Sequence, residues 1–218
     1  MSVIILKNIN HISSEVKKNT PVIIYKNFLK KKTCKKIIDI CHRNFLLKYH
    51  RKNSKNKFIN FASIDVLPSS VKTNRIFRIF DMSDYFISKF PEIMNLIKFQ
   101  KKIDKLKHKK KIYRKTQIIH YPKGGGFFDK HHHPRYPTNY GIIITLSEKF
   151  KDFKEGVTNF VINKKNISLE KFNLSTGDLI LFRFDIPHYI SPVDPDKDLT
   201  FDKKGRWTLV LPVYHEKF

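Results

Sequence analysis

The chain of 218 residues has little of what marks a secreted or membrane-spanning protein. Two cysteines, Cys34 and Cys41, cannot build a disulfide framework, and their spacing suits no zinc motif; they are expected as buried thiols near one face of a helix. No stretch approaches the roughly 18 uninterrupted apolar residues that a transmembrane helix needs. The Val3-Ile4-Ile5-Leu6 run lacks the length and the small-residue cleavage site of a secretory signal, so a cytosolic protein with no membrane partner is expected. Glycine is scarce, at seven, and all seven lie at or after Gly124, which leaves the tight turns to the second half. Acidic residues are few: 19 against 44 basic ones, a net charge of +25. Such an excess ordinarily points to nucleic acid or an anionic surface. Only eight of the basic residues are Arg, however, and the Lys excess travels with abundant Ile, Asn and Phe, as codon bias in an AT-rich genome would produce. Specific nucleic-acid binding is therefore not expected.

What is present divides near residue 116. Before it, residues 21–28 read as a strand, and Cys34, Ile37, Ile38, Cys41 and Phe45 follow helical spacing over 31–47. Residues 51–57 read as a basic loop. Ser83 is placed to cap a helical pattern running through Phe86, Phe90, Ile93 and Ile97, with Pro91 starting a fresh helix or kinking the first. Residues 101–115 hold nine Lys or Arg against one Asp and read as a solvated helix end and loop, with a polyanion contact as the alternative. Short β-like runs follow at 116–121, 140–146, 156–162, 178–182, 188–193 and 206–214. Short strands preceded by helices predict a β-sandwich or barrel with helices on one side.

Three consecutive histidines, His131, His132 and His133, follow the glycine-rich run Gly124-Gly125-Gly126-Phe127-Phe128-Asp129-Lys130. Alternation along a strand would turn His131 and His133 to one side and His132 to the other, making a two-point chelate. His188, after the Gly177-Asp178-Leu179-Ile180-Leu181-Phe182 turn and strand, is the candidate third ligand. A surface cluster is the plain reading of such a run when nothing else matches.

More does match. Tyr121, the glycine turn, the His131–His133 pair, the strand containing Gly141, Glu155-Gly156, the GDLILF strand, His188-Tyr189-Ile190-Ser191-Pro192-Val193 and Gly205-Arg206-Trp207-Thr208-Leu209 occur in an order that resembles the iron(II)- and 2-oxoglutarate-dependent oxygenases, most of all their prolyl-hydroxylase-like branch. The resemblance covers about the last 100 residues, and Asn27-Phe28-Leu29 to Cys34 is similar to the family's opening. It implies a metal site at His131, His133 and His188. It also implies that Arg206 anchors the far carboxylate of 2-oxoglutarate, with Thr208 and Tyr121 as hydroxyl donors. An arginine suits that task because its planar fork pairs a carboxylate bidentately. One departure stands out: His133 occupies the place of the family's carboxylate, which leaves the centre one unit more positive while still able to chelate Fe(II). Asp129 or Asp185 is the alternative source of a carboxylate.

The resulting expectation is a mostly β, α+β chain whose core is a double-stranded β-helix, or jelly roll, of the cupin-like kind. It is read as a single catalytic domain over 1–218, with 1–115 supporting a metal-binding core at 116–218. The expected cofactors are Fe(II) and 2-oxoglutarate, and the expected partners are O2 and a small-molecule or peptidyl substrate that is hydroxylated. The rivals are a metal-binding protein of the same fold that is not an oxygenase, and a basic nucleic-acid-binding protein. Lid segments are expected at 51–68 and 134–140.

Overall fold

The computed structural model describes residues 3–50, 57–65, 75–107, 113–133 and 140–214. The chain opens with β1 (Val3–Leu6), α1 (Ile12–Lys17) and β2 (Val22–Tyr25). α2 (Lys31–His50) buries Cys34, Ile37, Ile38 and Cys41, the spacing of one helical face. Two strands, β3 (Ile59–Asp65) and β4 (Arg75–Met82), form a pair. α3 (Asp84–Ser88) begins where the Ser83 hydroxyl accepts from the Phe86 N–H at 3.1 Å. α4 (Pro91–Lys107) starts afresh on Pro91, whose missing N–H costs nothing in a first helical turn. The remainder is β: β5 (Tyr113–Arg114), β6 (Gln117–Tyr121), β7 (Gly126–His131), β8 (Tyr140–Thr145), β9 (Thr158–Ile162), β10 (Lys165–Ser168), β11 (Leu179–Arg183), β12 (His188–Val193), β13 (Arg206–Val210) and β14 (Val213–Tyr214).

Among the described residues twelve strands join in one strongly curled sheet. Its larger wall runs β1-β2-β11-β8-β13-β6-β4, with β3 beyond β4, and its smaller wall runs β7-β12-β9-β10. β4 belongs to both: Arg78 to Asp81 pair with β6, while Arg75 and Ile76 pair with Phe128 and Phe127 of β7. The result is a two-walled jelly roll. Every residue of β8 is buried, as a central strand covered on both faces requires. Along β13 the side chains alternate: Trp207 and Leu209 join the core under α2 and α4, while Arg206 and Thr208 turn to the space between the walls. The helices therefore pack on the outer face of the larger wall and leave its inner face for a site.

The expected strand over 206–214 is broken in two, because Pro212 has no N–H for a ladder and β14 instead leaves to pair with β5. The expected set also lacks β1, β3, β4, β5, β7 and β10, and strands from before residue 116 enter the larger wall. Residues 51–56 of the expected basic loop, 108–112 of the lysine tract, half of the expected lid segment 51–68 and residues 134–139 of the other lie outside the described residues, while the described part of the first contains β3.

Candidate active site

The Gly177-Asp178 turn explains why the strand leading to His188 is held so firmly. Gly177 has φ 92, and a side chain there would run into the backbone of Leu29. Asp178 is fully buried, and its carboxylate accepts from the Asn27 and Ser175 N–H groups at 2.9 and 2.8 Å and from Lys26 Nζ at 2.9 Å. This clamp joins the β2–α2 junction to β11. After β11 the chain turns into β12, whose first residue is His188.

His188 stands opposite His131 across the β7–β12 pair, and the register shifts directly after it. Such bulges re-aim side chains at the rims of sheets. His133 lies just past the end of β7, where its N–H donates to the Phe184 carbonyl at 2.8 Å. As a result one ring nitrogen from each of His131, His133 and His188 falls within 4.8 Å of the others. His132 is exposed and outside this group. The rings are boxed by aromatics: His131 stacks on Phe128 at 3.8 Å, His133 lies 5.0 Å from Phe184, and His188 lies 4.7 Å from Phe182. The chamber they open onto has a volume of about 410 Å³, and its walls include Phe77, Ile79, Tyr121 and Ile190.

Burial holds all three imidazoles in the neutral form at neutral pH. The His133 pKa is pushed down to about 4 and that of His188 to about 3, first by desolvation and then by the neighbouring rings, and that of His131 is lowered for the same leading reason. Neutral imidazole is the form that donates a lone pair to a metal. Two rings are also oriented by their second nitrogen: Nδ1 of His131 faces the Asp129 carbonyl at 2.7 Å, and Nδ1 of His188 faces the Ile186 carbonyl at 2.9 Å. With Nδ1–H donating there, Nε2 is left as the free ligand atom. This donor set fits a divalent transition metal with open positions for further ligands. Neither alternative carboxylate joins it. Asp129 is exposed, and the two oxygens of Asp185 take the fork of Arg183 at 3.0 and 2.6 Å.

The other expected site residues fall nearby but not all in the chamber. Tyr121 lines it and is buried, with its phenol pKa raised to about 12 by desolvation. Arg206, opposite Tyr121 in the β6–β13 ladder, places its guanidinium 5.5 Å from the Tyr121 ring centre. It is almost fully buried, and desolvation lowers its pKa to about 10. Its Nη2 donates to the Thr158 hydroxyl, while its Nη1 is buried without a hydrogen-bond partner. Thr208 is buried opposite Thr145 and lines neither the chamber nor the cavity that Arg206 opens onto. The sequence reading missed Thr158 and Thr145, since a threonine in a strand carries no signal of its own. It also missed the row behind Arg206: Arg78 Nε donates to Nδ1 of His120 at 2.9 Å, and His120 stacks on Trp207 at 4.1 Å. That row fixes the outer face of β13, one residue from Arg206.

No family model and no curated protein sequence matches this chain. Solved structures do. A Pseudomonas putida prolyl-4-hydroxylase superposes with a TM-score of 0.65 at 11% identity, covering 94% of this chain and 98% of that one. A prolyl hydroxylase from Trichoplax adhaerens, solved with a hypoxia inducible factor peptide fragment, gives 0.57 at 18% identity over 95% and 89% of the two chains. A viral collagen prolyl hydroxylase from Paramecium Bursaria Chlorella virus-1, solved with 2-oxoglutarate, gives 0.51 at 13% identity over 89% and 96%. The curled two-walled sheet with helices on its outer face is thus the jelly-roll fold of the prolyl hydroxylases and 2-oxoglutarate–Fe(II) oxygenases.

Proposed function

We propose that this protein is a non-haem Fe(II)- and 2-oxoglutarate-dependent oxygenase that hydroxylates an unactivated C–H bond. The observation that carries the reading is the convergence of three neutral imidazoles, two of them oriented by backbone carbonyls, on one chamber, with a buried arginine short of a partner nearby. His131, His133 and His188 would hold the iron, and Arg206 would take the distal carboxylate of the keto acid. The register supports the length: Thr158, which Arg206 contacts, pairs with Ile190, and Phe160 pairs with His188. The anchor is therefore two strand residues, about 7 Å, from the level of the histidines, close to the span of a five-carbon diacid. When bound, iron and keto acid reduce O2 together, one oxygen atom ending in succinate as CO2 leaves and the other in the hydroxyl group of the product.

The chain's own groups do the positioning. The aromatic box packs against the rings and holds them in place, and the Asp129 and Ile186 carbonyls keep the ring protons of His131 and His188 on Nδ1. The apolar chamber wall suits an uncharged C–H-bearing group, whether of a small molecule or of a peptide side chain; the Trichoplax relative was solved with a peptide. Anaerobic titration with Fe(II) and then 2-oxoglutarate, followed by a succinate assay over amino acids, metabolites and peptides, tests the reading. Absence of succinate with iron and keto acid both bound would favour the second reading, a metal-binding protein of this fold that is not an oxygenase, which the lack of a carboxylate in the histidine group among the described residues supports.

A further inference from the structure

The chamber in front of the three histidines carries almost no charge of its own. Among the described residues that line it there is no Asp, Glu or Lys, and Arg75 is the one permanent cation. Besides the histidines, the other long polar side chains there are Gln117, whose Nε2 donates to Asp81 at 2.6 Å, and the phenol of Tyr121. Arg75 opens β4 and is exposed, so it stands where the chamber meets solvent. Phe128 ties it to the histidines: Arg75 is the register partner of Phe128, whose ring stacks on His131 at 3.8 Å. The guanidinium lies 5.5 Å from the centre of the Phe77 ring, which meets Phe128 edge-on at 5.4 Å and Tyr121 at 5.7 Å. The cation is thus seated against the aromatic wall of the chamber.

Resting on the oxygenase reading above, we propose that Arg75 is the handle for an anionic substrate: the compound oxidised in this chamber carries a carboxylate that pairs with Arg75 and an apolar body that reaches the histidines. Charge balance favours such a substrate. The charges of iron(II) and the 2-oxoglutarate dianion cancel when both are bound, and neutral imidazoles add none, so the metal side sets no net negative charge against an incoming anion. A carboxylate in the place of His133 would set one there, across an apolar space that screens it poorly. The walls, with Phe77, Ile79, Ile119 and Ile190, also lower the local dielectric and so strengthen what a guanidinium gains from a carboxylate. A single arginine fork with no lysine beside it matches the two oxygens of a carboxylate, whereas a phosphate dianion calls for more donors. A small organic acid and the acidic side chain of a peptide both offer this group, and a chamber of about 410 Å³ holds either.

The test is calorimetric titration of the anaerobic protein, saturated with Fe(II) and 2-oxoglutarate, with two sets of matched probes. One set pairs hexanoate and 3-phenylpropanoate with their carboxamides; the other pairs an end-blocked tripeptide carrying glutamate with the same tripeptide carrying glutamine. Saturating keto acid keeps the probes from the metal and from Arg206. In the parent at least one carboxylate is expected to bind about tenfold or more tightly than its amide. In Arg75→Gln that preference should vanish, with iron content and 2-oxoglutarate affinity as in the parent, and Arg75→Lys should keep part of it. The set that shows the preference identifies the source of the carboxylate. Carboxylates that bind no better than their amides, silence of the whole panel included, or a preference that survives Arg75→Gln, overturn the handle and leave the oxygenase reading intact. A parent protein that takes up Fe(II) but no 2-oxoglutarate overturns both.

Discussion

The three clustered imidazoles come from the end of β7, the residue two beyond it and the start of β12, so single replacements separate their roles. His131→Ala, His133→Ala or His188→Ala should lower Fe(II) affinity at least tenfold by equilibrium dialysis, the order expected for disturbing a metal's ligand shell, while His132→Ala should do much less. Equal losses in all four would remove the assignment. Arg206→Ala should weaken 2-oxoglutarate binding by about 2–4 kcal/mol with metal content nearly unchanged, since it strips a buried carboxylate of a charge-assisted partner. Lysine there should rescue only in part, lacking the fork. Gly141 is subtler: any side chain on it would run into Phe184 and Phe182, the rings packed on His133 and His188. Gly141→Ala should therefore cost about 1–3 kcal/mol in urea unfolding and loosen the metal site as well, whereas intact metal affinity would show that the rings yield freely.

At the scale of elements, the clamp at Asp178 gives the clearest test. Asp178→Ala would leave two backbone N–H groups without their acceptor and Lys26 with only the Phe172 and Asn173 carbonyls, a loss of about 3 kcal/mol in stability, and should shift β11 enough to weaken metal binding through His188. Unchanged chemical denaturation would reduce the clamp to a surface turn. The turn was legible in the sequence as Gly177-Asp178 before an apolar run, and so were α2, β8 and β12, whose periodicity or continuity is clean. β4 was not, because Arg-Ile-Phe-Arg-Ile-Phe has a period of three in letters while the strand uses it in twos, burying Arg78 among rings instead of exposing it. The pairing of His131 with His133 was legible from their spacing, although the strand expected to carry both ends at His131, and His188 was legible from the turn and strand that precede it. The contact of Arg206 with Thr158 was not, since it depends on how the side chain of one wall reaches the facing strand of the other.

The whole molecule carries +25, and that charge has its own expected signature. Self-repulsion of like charges weakens as salt screens it over a Debye length of about 8 Å at physiological ionic strength, so the melting temperature should rise with moderate added salt. Duplex or single-stranded nucleic acid should bind only non-specifically, with a Kd of roughly 10⁻⁴ to 10⁻⁶ M at physiological salt that rises steeply as salt is added. Nanomolar, structure-selective binding in a filter assay would instead make nucleic acid a partner. The clamp that joins the start of the chain to its end also governs how the molecule comes into being. Asn27 and Asp178 meet across 151 positions, and β2 finds its partner β11 over slightly more, 154 between Tyr25 and Leu179 to 160 between Val22 and Phe182. Until that stretch has been synthesised, β2 has only the short β1 beside it, and the histidines have no frame to converge in. Closing so long a loop before its contacts reward it is slow, so this protein should fold after synthesis rather than during it, in milliseconds to seconds, and depend on being kept from aggregation while it waits.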